Sequence, residues 1–158
     1  MSIIIGVLSD THLAGITREY LEQAQNCFRN TDIILHTGDL VDISVLAVFG
    51  KKEVHAVHGN MCHPSSHNQL PREKIIEING FKIALTHGYP FRQQVEDQLI
   101  KIFPEVDCII SGHTHTPVCH LMYETLFVNP GSFTGTGRYG APGTYGLLTL
   151  DKTITGQI

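Results

Sequence analysis

The chain has no excess of basic charge and few charged residues altogether. Its 158 residues include 11 Lys and Arg against 15 Asp and Glu, which gives a formal net charge of −4 at pH 7. Because nucleic acids and anionic lipids attract clustered positive charge, this balance predicts no strong nucleic-acid-binding surface and no membrane partner. With 42% hydrophobic and only 16% charged residues, the composition excludes a disordered chain.

Long apolar runs and paired cysteines are also missing. The longest apolar run, Ile3–Leu8, is far shorter than the ~20 residues of a membrane span, and it lacks the basic flank and cleavage site of a signal peptide. The four cysteines form no CxxC pair, so we expect reduced thiols that pack in the core. These absences predict a cytoplasmic protein, and the length predicts a single domain over residues 1–158.

Short apolar runs alternate with helical patterns along the chain. Five runs rich in Ile, Val and Leu predict buried strands at Ile3–Leu8, Asp32–His36, Val54–Val57, Lys82–Leu85 and Val106–Ile110. Helical spacing predicts helices over Tyr20–Phe28 with Thr17 as N-cap, from the cap Asp42 to Phe49, and over Phe91–Phe103. Further strands without helices are predicted at Leu121–Glu124, Thr125–Asn129, Tyr145–Leu150 and Thr153–Ile158. This order is typical of a layered sandwich.

Each of the first five runs is followed at once by Asp, Asn or His, usually beside a glycine. The segments are Ser9-Asp10-Thr11-His12, Thr37-Gly38-Asp39, His58-Gly59-Asn60, Thr86-His87-Gly88 and Ser111-Gly112-His113-Thr114-His115. Parallel strands bring their carboxyl ends to one edge of a sheet, where ligands bind, so these side chains should meet. An extended backbone would put Asp10 and His12 on the same face of the chain, where both could grip one ion. Mixed oxygen and imidazole ligands suit transition metals better than Ca²⁺.

Taken in order, these segments resemble the signature of the calcineurin-like metallophosphoesterases. The signature positions are Asp10-x-His12, Gly38-Asp39, Gly59-Asn60, His87 and Gly112-His113-x-His115. The small size and the segment Asn129-Pro130-Gly131-Ser132, which we interpret as a structural turn, make the chain most similar to the compact YfcE-type phosphodiesterases. The resemblance spans about residues 3 to 150. It implies an α+β fold, the four-layer α/β/β/α sandwich of metallo-dependent phosphatases, with two mixed sheets flanked by helices.

The resemblance also implies a binuclear metal centre. One ion would take Asp10, His12, Asp39 and His115, and the other would share Asp39 as a bridge and add Asn60, His87 and His113. Asp39, Asn60 and His87 are assigned to catalysis as well as to the metals. The expected cofactors are two divalent transition-metal ions, with Mn²⁺ preferred and Fe²⁺, Ni²⁺, Co²⁺ and Zn²⁺ as alternatives. A homodimer or homotetramer is also implied.

Charge favours a phosphodiester as substrate. Two divalent ions, two carboxylates and a bridging hydroxide sum to about +1, which matches a phosphodiester monoanion. The sequence therefore predicts a phosphodiesterase in which the bridging hydroxide attacks a small phosphodiester in line. A phosphomonoesterase on the same site is the close alternative. A non-catalytic scaffold like the retromer subunit of this fold is the alternative of another class.

Several polar residues near the motifs have no fixed role. His36 and His58 are either structural residues or have a role at the site, where they would support the ligands or face the phosphate. His63 and His67 lie in a polar stretch, residues 61–70, which predicts a surface loop that is either solvated or overhangs the site. Arg138 is either a phosphate clamp or a solvated loop residue.

The two residues after Asn60 depart from the family pattern. Larger phosphatases of the superfamily have His and an acidic residue there, credited with protonating the leaving group, and the compact family usually has Cys-Asp. This chain has Met61-Cys62. A thioether does not titrate and a thiol titrates near ~8.5, so neither is a good general acid at neutral pH. We therefore expect poor protonation of the leaving group, with His63 as the first substitute donor.

Overall fold

The structure is a computed structural model that describes residues 1–135 and 142–158. Within these ranges, no helix is long and apolar enough to cross a membrane. The strands are β1 (Ile3–Leu8), β2 (Ile33–His36), β3 (Glu53–Ala56), β4 (Glu73–Ile78), β5 (Phe81–Thr86), β6 (Cys108–Ile110), β7 (Val118–Met122), β8 (Thr125–Asn129), β9 (Gly146–Leu150) and β10 (Ile154–Gln157). The helices are α1 (Arg18–Cys27), a 3₁₀ helix (Ile43–Phe49), α2 (Pro64–Gln69) and α3 (Val95–Ile102).

The strands form two mixed five-stranded sheets. The first has the order β10-β9-β1-β2-β3, in which β1, β2 and β3 are parallel and β9 and β10 are antiparallel. The second has the order β4-β5-β6-β8-β7, with β5, β6 and β8 parallel between antiparallel edge strands. The parallel strands place their carboxyl ends at one edge of each sheet, where the polar segments begin.

Successive side chains of each strand point to opposite faces of the sheet, and the two sheets therefore give three hydrophobic layers. Side chains of one parity pack between the two sheets, among them Ile5, Val7, Ile83 and Leu85. Side chains of the other parity cover the outer faces. On the first sheet, Leu8 and Ile34 pack against Tyr20, Ala24 and Phe28 of the α1 region. On the second, Ala84, Ile109 and Phe127 pack against Leu99 and Phe103 of the α3 region. The predicted α/β/β/α sandwich is confirmed.

Two of the predicted helix caps are present. The Tyr20 backbone N–H donates to Thr17 Oγ1 at 3.1 Å, and the Ser44 N–H donates to Asp42 Oδ1 at 2.8 Å. Each bond satisfies an N–H group that a helix start leaves without a partner, so the chain enters α1 and the 3₁₀ helix where the sequence predicts.

Two local predictions are wrong, and one strand was not predicted. The third helix begins at Val95 rather than at Phe91, because residues 88–94 form a turn through a cis Tyr89–Pro90 bond. Strand β4 was not predicted, because the solvent face of this edge strand carries charge. The stretch predicted as a loop over residues 61–70 contains α2, where Pro64 occupies the first helical turn and His63 is the N-cap.

Candidate metal centre

The loops that follow β1, β2, β3, β5 and β6 meet at one edge of the sandwich. Backbone hydrogen bonds join them, from Asp10 N–H to Gly38 O and from His12 N–H to Asp39 O, both at 2.9 Å. The loops surround a cleft of about 350 Å³, and the residues that line it include His12, Asp39, Asn60, His113 and His115. Asp10 and His87 lie directly beneath, within 4 Å of these side chains. The structure thus brings all seven predicted ligands together.

The backbone at the ligands is left-handed rather than extended. Five of the seven have positive φ: Asp10 (53°), His12 (50°), Asp39 (54°), His113 (67°) and His115 (58°). The expected extended backbone from Asp10 to His12 is therefore wrong. Strand β1 ends at Leu8, and the two side chains converge because the loop turns sharply at each of them. A left-handed non-glycine residue costs about 1–3 kcal/mol and persists mainly where function requires the geometry.

The two carboxylate oxygens of Asp10 have different surroundings. Its Oδ2 accepts hydrogen bonds from Ser9 Oγ–H at 2.6 Å and from the His113 backbone N–H at 3.1 Å. Its Oδ1 faces three imidazoles, with His115 Nε2 at 3.0 Å, His12 Nε2 at 3.7 Å and His87 Nε2 at 3.9 Å. Burial acts to raise the pKa of Asp10, but the hydrogen bonds from His115 and His12 outweigh it and hold the pKa below its usual range. Asp10 is an anion aimed at a cluster of histidines.

Asp39 is arranged in the same way. Its Oδ1 accepts a hydrogen bond from the Met61 backbone N–H at 2.6 Å, which leaves Oδ2 directed at His87 Nε2 (3.2 Å) and His12 Nε2 (4.0 Å). Burial acts to raise the pKa of Asp39, but His87 and the Met61 N–H outweigh it and lower the pKa. Asp39 Oδ2 therefore stands between imidazoles that the sequence assigns to different ions.

Two imidazole nitrogens of the site, both buried, lack hydrogen-bond partners among the described residues. His87 Nδ1–H donates to Thr37 O at 2.8 Å, which leaves Nε2 as the nitrogen with a lone pair. The buried Nε2 atoms of His87 and His113 make no hydrogen bond within the described part of the chain. Burial acts to lower the pKa of His87, but Asp39 and Asp10 raise it overall. Buried polar nitrogens without partners are rare, and a metal ion would satisfy both.

Two groups of side chains have the spacing of metal ligands. Asp10, His12 and His115 form one, and Asp10, Asp39 and His87 form the other, with all ligand atoms of a group within 4.8 Å of one another. Asp10 is common to both groups, whereas the sequence interpretation gives the shared position to Asp39. Each carboxylate turns one oxygen towards imidazoles of both sets, and mixed carboxylate and imidazole donors fit divalent transition-metal ions.

Two glycines in the motifs are required by close approach. A Cβ on Gly112 would lie 2.6 Å from Asp10 Oδ2 and would collide with Ser9 Oγ. A Cβ on Gly59 would collide with Asp39 Oδ1. The glycines therefore let the loops after β6 and β3 pack directly on the two carboxylates.

His36 supports this arrangement from below. The ring is fully buried, its Nδ1 accepts a hydrogen bond from Gly38 N–H at 3.1 Å, and its Nε2–H lies 3.2 Å from Thr11 Oγ1. Burial lowers the pKa of His36 to about 4 despite the attraction of Asp10, so the ring is neutral at pH 7. Of the two roles left open by the sequence, the geometry matches support of the ligand loops.

The positions after Asn60 hold no group suited to acid catalysis. Met61 is 58% exposed on the lip of the metal cleft, and the Cys62 thiol lies 3.2 Å from the Gly59 N–H, partly buried against the core near α1. His63 pairs with Ser65 Oγ at 2.8 Å at the start of α2 and is not among the residues that line the metal cleft.

Sequence reasoning missed two residues at the site. Arg92 lines the metal cleft, and its positive charge contributes to the lowered pKa of His113 after burial and His87. The Tyr89 ring packs edge-on against His113, with ring centroids 5.3 Å apart. Both belong to the turn of residues 88–94. The only sequence signal for a site residue there is the charge of Arg92, a few positions after His87. Arg138, the clamp considered from sequence, lies outside the described residues.

Comparison with known proteins agrees with the fold and the motifs. A model of the calcineurin-like phosphoesterase superfamily domain matches residues 3–153. A probable metallophosphoesterase of Methanocaldococcus jannaschii is 39% identical over 137 residues, which cover 84% of this chain and 69% of that protein. The solved structure of a novel archaeal phosphodiesterase has a TM-score of 0.79 at 27% identity and covers 98% of this chain and 99% of its own.

A third neighbour shares the fold alone. Vps29 from Entamoeba histolytica, solved in complex with Zn²⁺, has a TM-score of 0.73 at 23% identity over 98% of this chain and 97% of its own.

The family match and the identity to a curated metallophosphoesterase decide the classification: the chain belongs to the calcineurin-like phosphoesterase superfamily. The predicted family is thereby confirmed.

Proposed function

We propose that this protein is a metal-dependent phosphodiesterase that hydrolyses small phosphodiesters in the metal cleft. The observation that carries the proposal is the orientation of the two buried carboxylates. Each has one oxygen fixed by an N–H donor and the other turned towards imidazole Nε2 atoms at 3.0–4.0 Å. A structural role would not require two buried anions beside two histidine nitrogens that lack hydrogen bonds.

The residues divide into two ligand sets. Asp10, His12, Asp39 and His115 would hold one ion, and Asp39, Asn60, His87 and His113 would hold the other. When bound, two divalent ions supply a hydroxide nucleophile at neutral pH and positive charge for the phosphoryl oxygens. The protein fixes the geometry through the anchored carboxylates.

Arg92 is the residue we assign to the substrate phosphate. It lines the cleft beside His113 and carries a planar guanidinium with five N–H donors. Arginine binds phosphate oxygens through paired N–H donors, which would position the phosphorus for attack. Arg92 therefore takes the role that the sequence had left open for Arg138.

The diester is favoured over the monoester by similarity to the archaeal phosphodiesterase rather than by charge. Two divalent ions, two carboxylates and a bridging hydroxide sum to about +1, which matches a monoanion, but Arg92 raises the sum to about +2, which suits a monoester dianion equally well. The scaffold alternative is supported by the fold it shares with Vps29, but every ligand position here carries a side chain that can bind metal.

Hydrolysis by the reconstituted protein tests the proposal. Chelator-stripped protein is loaded with Mn²⁺, Zn²⁺, Co²⁺, Ni²⁺ or Fe²⁺ and assayed on bis(4-nitrophenyl) phosphate and 4-nitrophenyl phosphate. We expect metal-dependent turnover with a higher kcat/KM for the diester, loss of turnover in His113→Ala, and normal turnover in His120→Ala, whose ring lies half-exposed on β7. A higher kcat/KM for the monoester would favour the phosphomonoesterase, and no hydrolysis with any metal would favour the scaffold.

A further inference from the structure

A second cleft adjoins the metal cleft. It encloses about 330 Å³, within the range of small-molecule sites, and we call it the His58 cleft. It is lined by His58, His67, Arg72 and Tyr89 together with the proposed ligands Asn60 and His87. Asn60 lines both clefts, so they share a wall at the metal centre. A group attached to a phosphate bound at the metals can therefore extend into the His58 cleft.

The lining of the His58 cleft is rich in flat rings. The imidazoles of His58 and His67 stack with centroids 3.7 Å apart and planes inclined by 33°. Tyr89 contributes a half-exposed phenol ring, which its contact with His113 holds beside the metal centre. Arg72 adds a planar guanidinium with five N–H donors. Stacked rings and a guanidinium favour a flat aromatic group over an alkyl chain.

We propose that the His58 cleft binds a planar aromatic ring, a nucleobase or an aryl group, on the ester group that stays on phosphorus. The inference rests on the proposed function, because only a diester keeps an organic group after hydrolysis. A retained group stays stacked through the transition state, whereas a leaving group moves away. His67 and Tyr89 would contact the ring, and Arg72 would face its polar edge.

Diesters with one leaving group and different retained groups test the inference. The substrates are the 4-nitrophenyl esters of thymidine 5′-phosphate, phenyl phosphate and methyl phosphate. We expect Mn²⁺-loaded wild-type protein to prefer the two aromatic esters over the methyl ester by about tenfold in kcat/KM, the effect of one stacking contact. His67→Ala and Tyr89→Leu should reduce this preference to within about twofold. Asn68→Ala, the exposed neighbour of His67 on α2, should keep it.

The outcomes separate the cleft from the catalytic proposal. Turnover of all three esters without an aromatic preference, or a preference that survives in both variants, would overturn the His58 cleft and leave the phosphodiesterase intact. A preference for thymidine alone would identify a nucleobase as the ring, whereas equal preference for phenyl would identify any aryl group. If none of the three esters is hydrolysed, the result counts against the proposed function, and the binding of thymidine then tests the His58 cleft separately.

Binding is measured without turnover by saturation-transfer NMR of thymidine with the Zn²⁺-loaded protein, since Zn²⁺ is diamagnetic. We expect the strongest transfer to the base protons in wild type and its loss in His67→Ala. No transfer to the base in wild type, or equal transfer in the variant, would overturn the inference.

Discussion

Acid should lower the free energy of unfolding because His36 is buried in its neutral form. Burial lowers the pKa of this ring to about 4, whereas a histidine in the unfolded chain titrates near ~6.5. Above pH 6.5 the ring is neutral in both states, and its contribution to stability is complete. As the pH falls, the unfolded chain takes up the proton first, so the free energy of unfolding decreases until the folded ring also titrates near pH 4. The total loss is about 3 kcal/mol.

Urea unfolding of chelated wild-type protein and of His36→Asn tests this expectation. Asparagine retains polar groups near the Gly38 N–H but does not titrate. Between pH 7.5 and 4.5, the stability of wild type should fall by about 2–3 kcal/mol more than that of the variant. His120→Asn, a substitution on the exposed face of β7, is the matched control and should follow the wild-type curve. A stability difference between wild type and His36→Asn that does not change with pH would refute the reasoning.

The remaining predictions concern the metal ligands and the leaving group. Asp39→Asn should lower the occupancy of both ions and abolish turnover, as measured by metal analysis of the dialysed protein, whereas His12→Ala should weaken chiefly one ion. Two metals per chain and near-normal activity in Asp39→Asn would show that Asp39 is not the shared ligand, and equal loss of both ions in Asp10→Asn would assign the bridge to Asp10. Gly112→Ala should reduce metal content at least tenfold, because its Cβ meets Asp10 Oδ2 at 2.6 Å, while Gly15→Ala, whose Cβ would meet no atom within 4 Å, should not. Across substituted phenyl diesters, kcat/KM should fall steeply as the leaving-group pKa rises, because a missing general acid forfeits about 10²–10⁴-fold; a flat dependence with rate-limiting chemistry would reveal another donor.

The central strands and the candidate ligands could be predicted from the sequence because one physical cause marks both. A strand buried on both faces must be apolar, so the polar ligand that follows stands out against it, as where Leu8 is followed by Ser9 and Asp10. Gly59 and Gly112 pack directly against Asp39 and Asp10, so the close approach of the loops requires glycine there in addition to the turns of the chain. These signals are local, and they needed no knowledge of which strands pair.

The features that the sequence did not predict depend on the tertiary structure. Left-handed backbone at Asp10 and His115 is imposed by contacts between loops. Asp and His adopt positive φ more often than most residues but still rarely, so residue type alone does not predict it. Arg92 and Tyr89 follow no period, and the turn of residues 88–94 brings them to the site. The ring stack of His58 and His67 joins a strand end to α2, which has no apolar pattern to predict it.

The strained ligand loops are held in place by a segment without ligands of its own. Ser132 Oγ–H donates to Asp10 O at 2.8 Å, and Thr134 Oγ1–H donates to Thr11 O at 3.0 Å. Asn129 Nδ2–H donates to Gly112 O at 2.9 Å and to Thr114 Oγ1 at 3.0 Å. The Asn-Pro-Gly-Ser turn is thus structural, as interpreted from sequence, and it ties the two halves of the site together.

Because these bonds and the carboxylate anchors lie within the protein, they fix the left-handed turns at the ligands independently of any ion. Each such turn costs about 1–3 kcal/mol, and the cost is met by folding rather than by metal binding. Replacing a ligand side chain should then change metal affinity without unfolding the chain, whereas Ser132→Ala, which removes the hydrogen bond to Asp10 O, should lower metal affinity although every ligand remains. Unchanged metal affinity in Ser132→Ala would mean that the other hydrogen bonds of Asp10 hold the turn without Ser132.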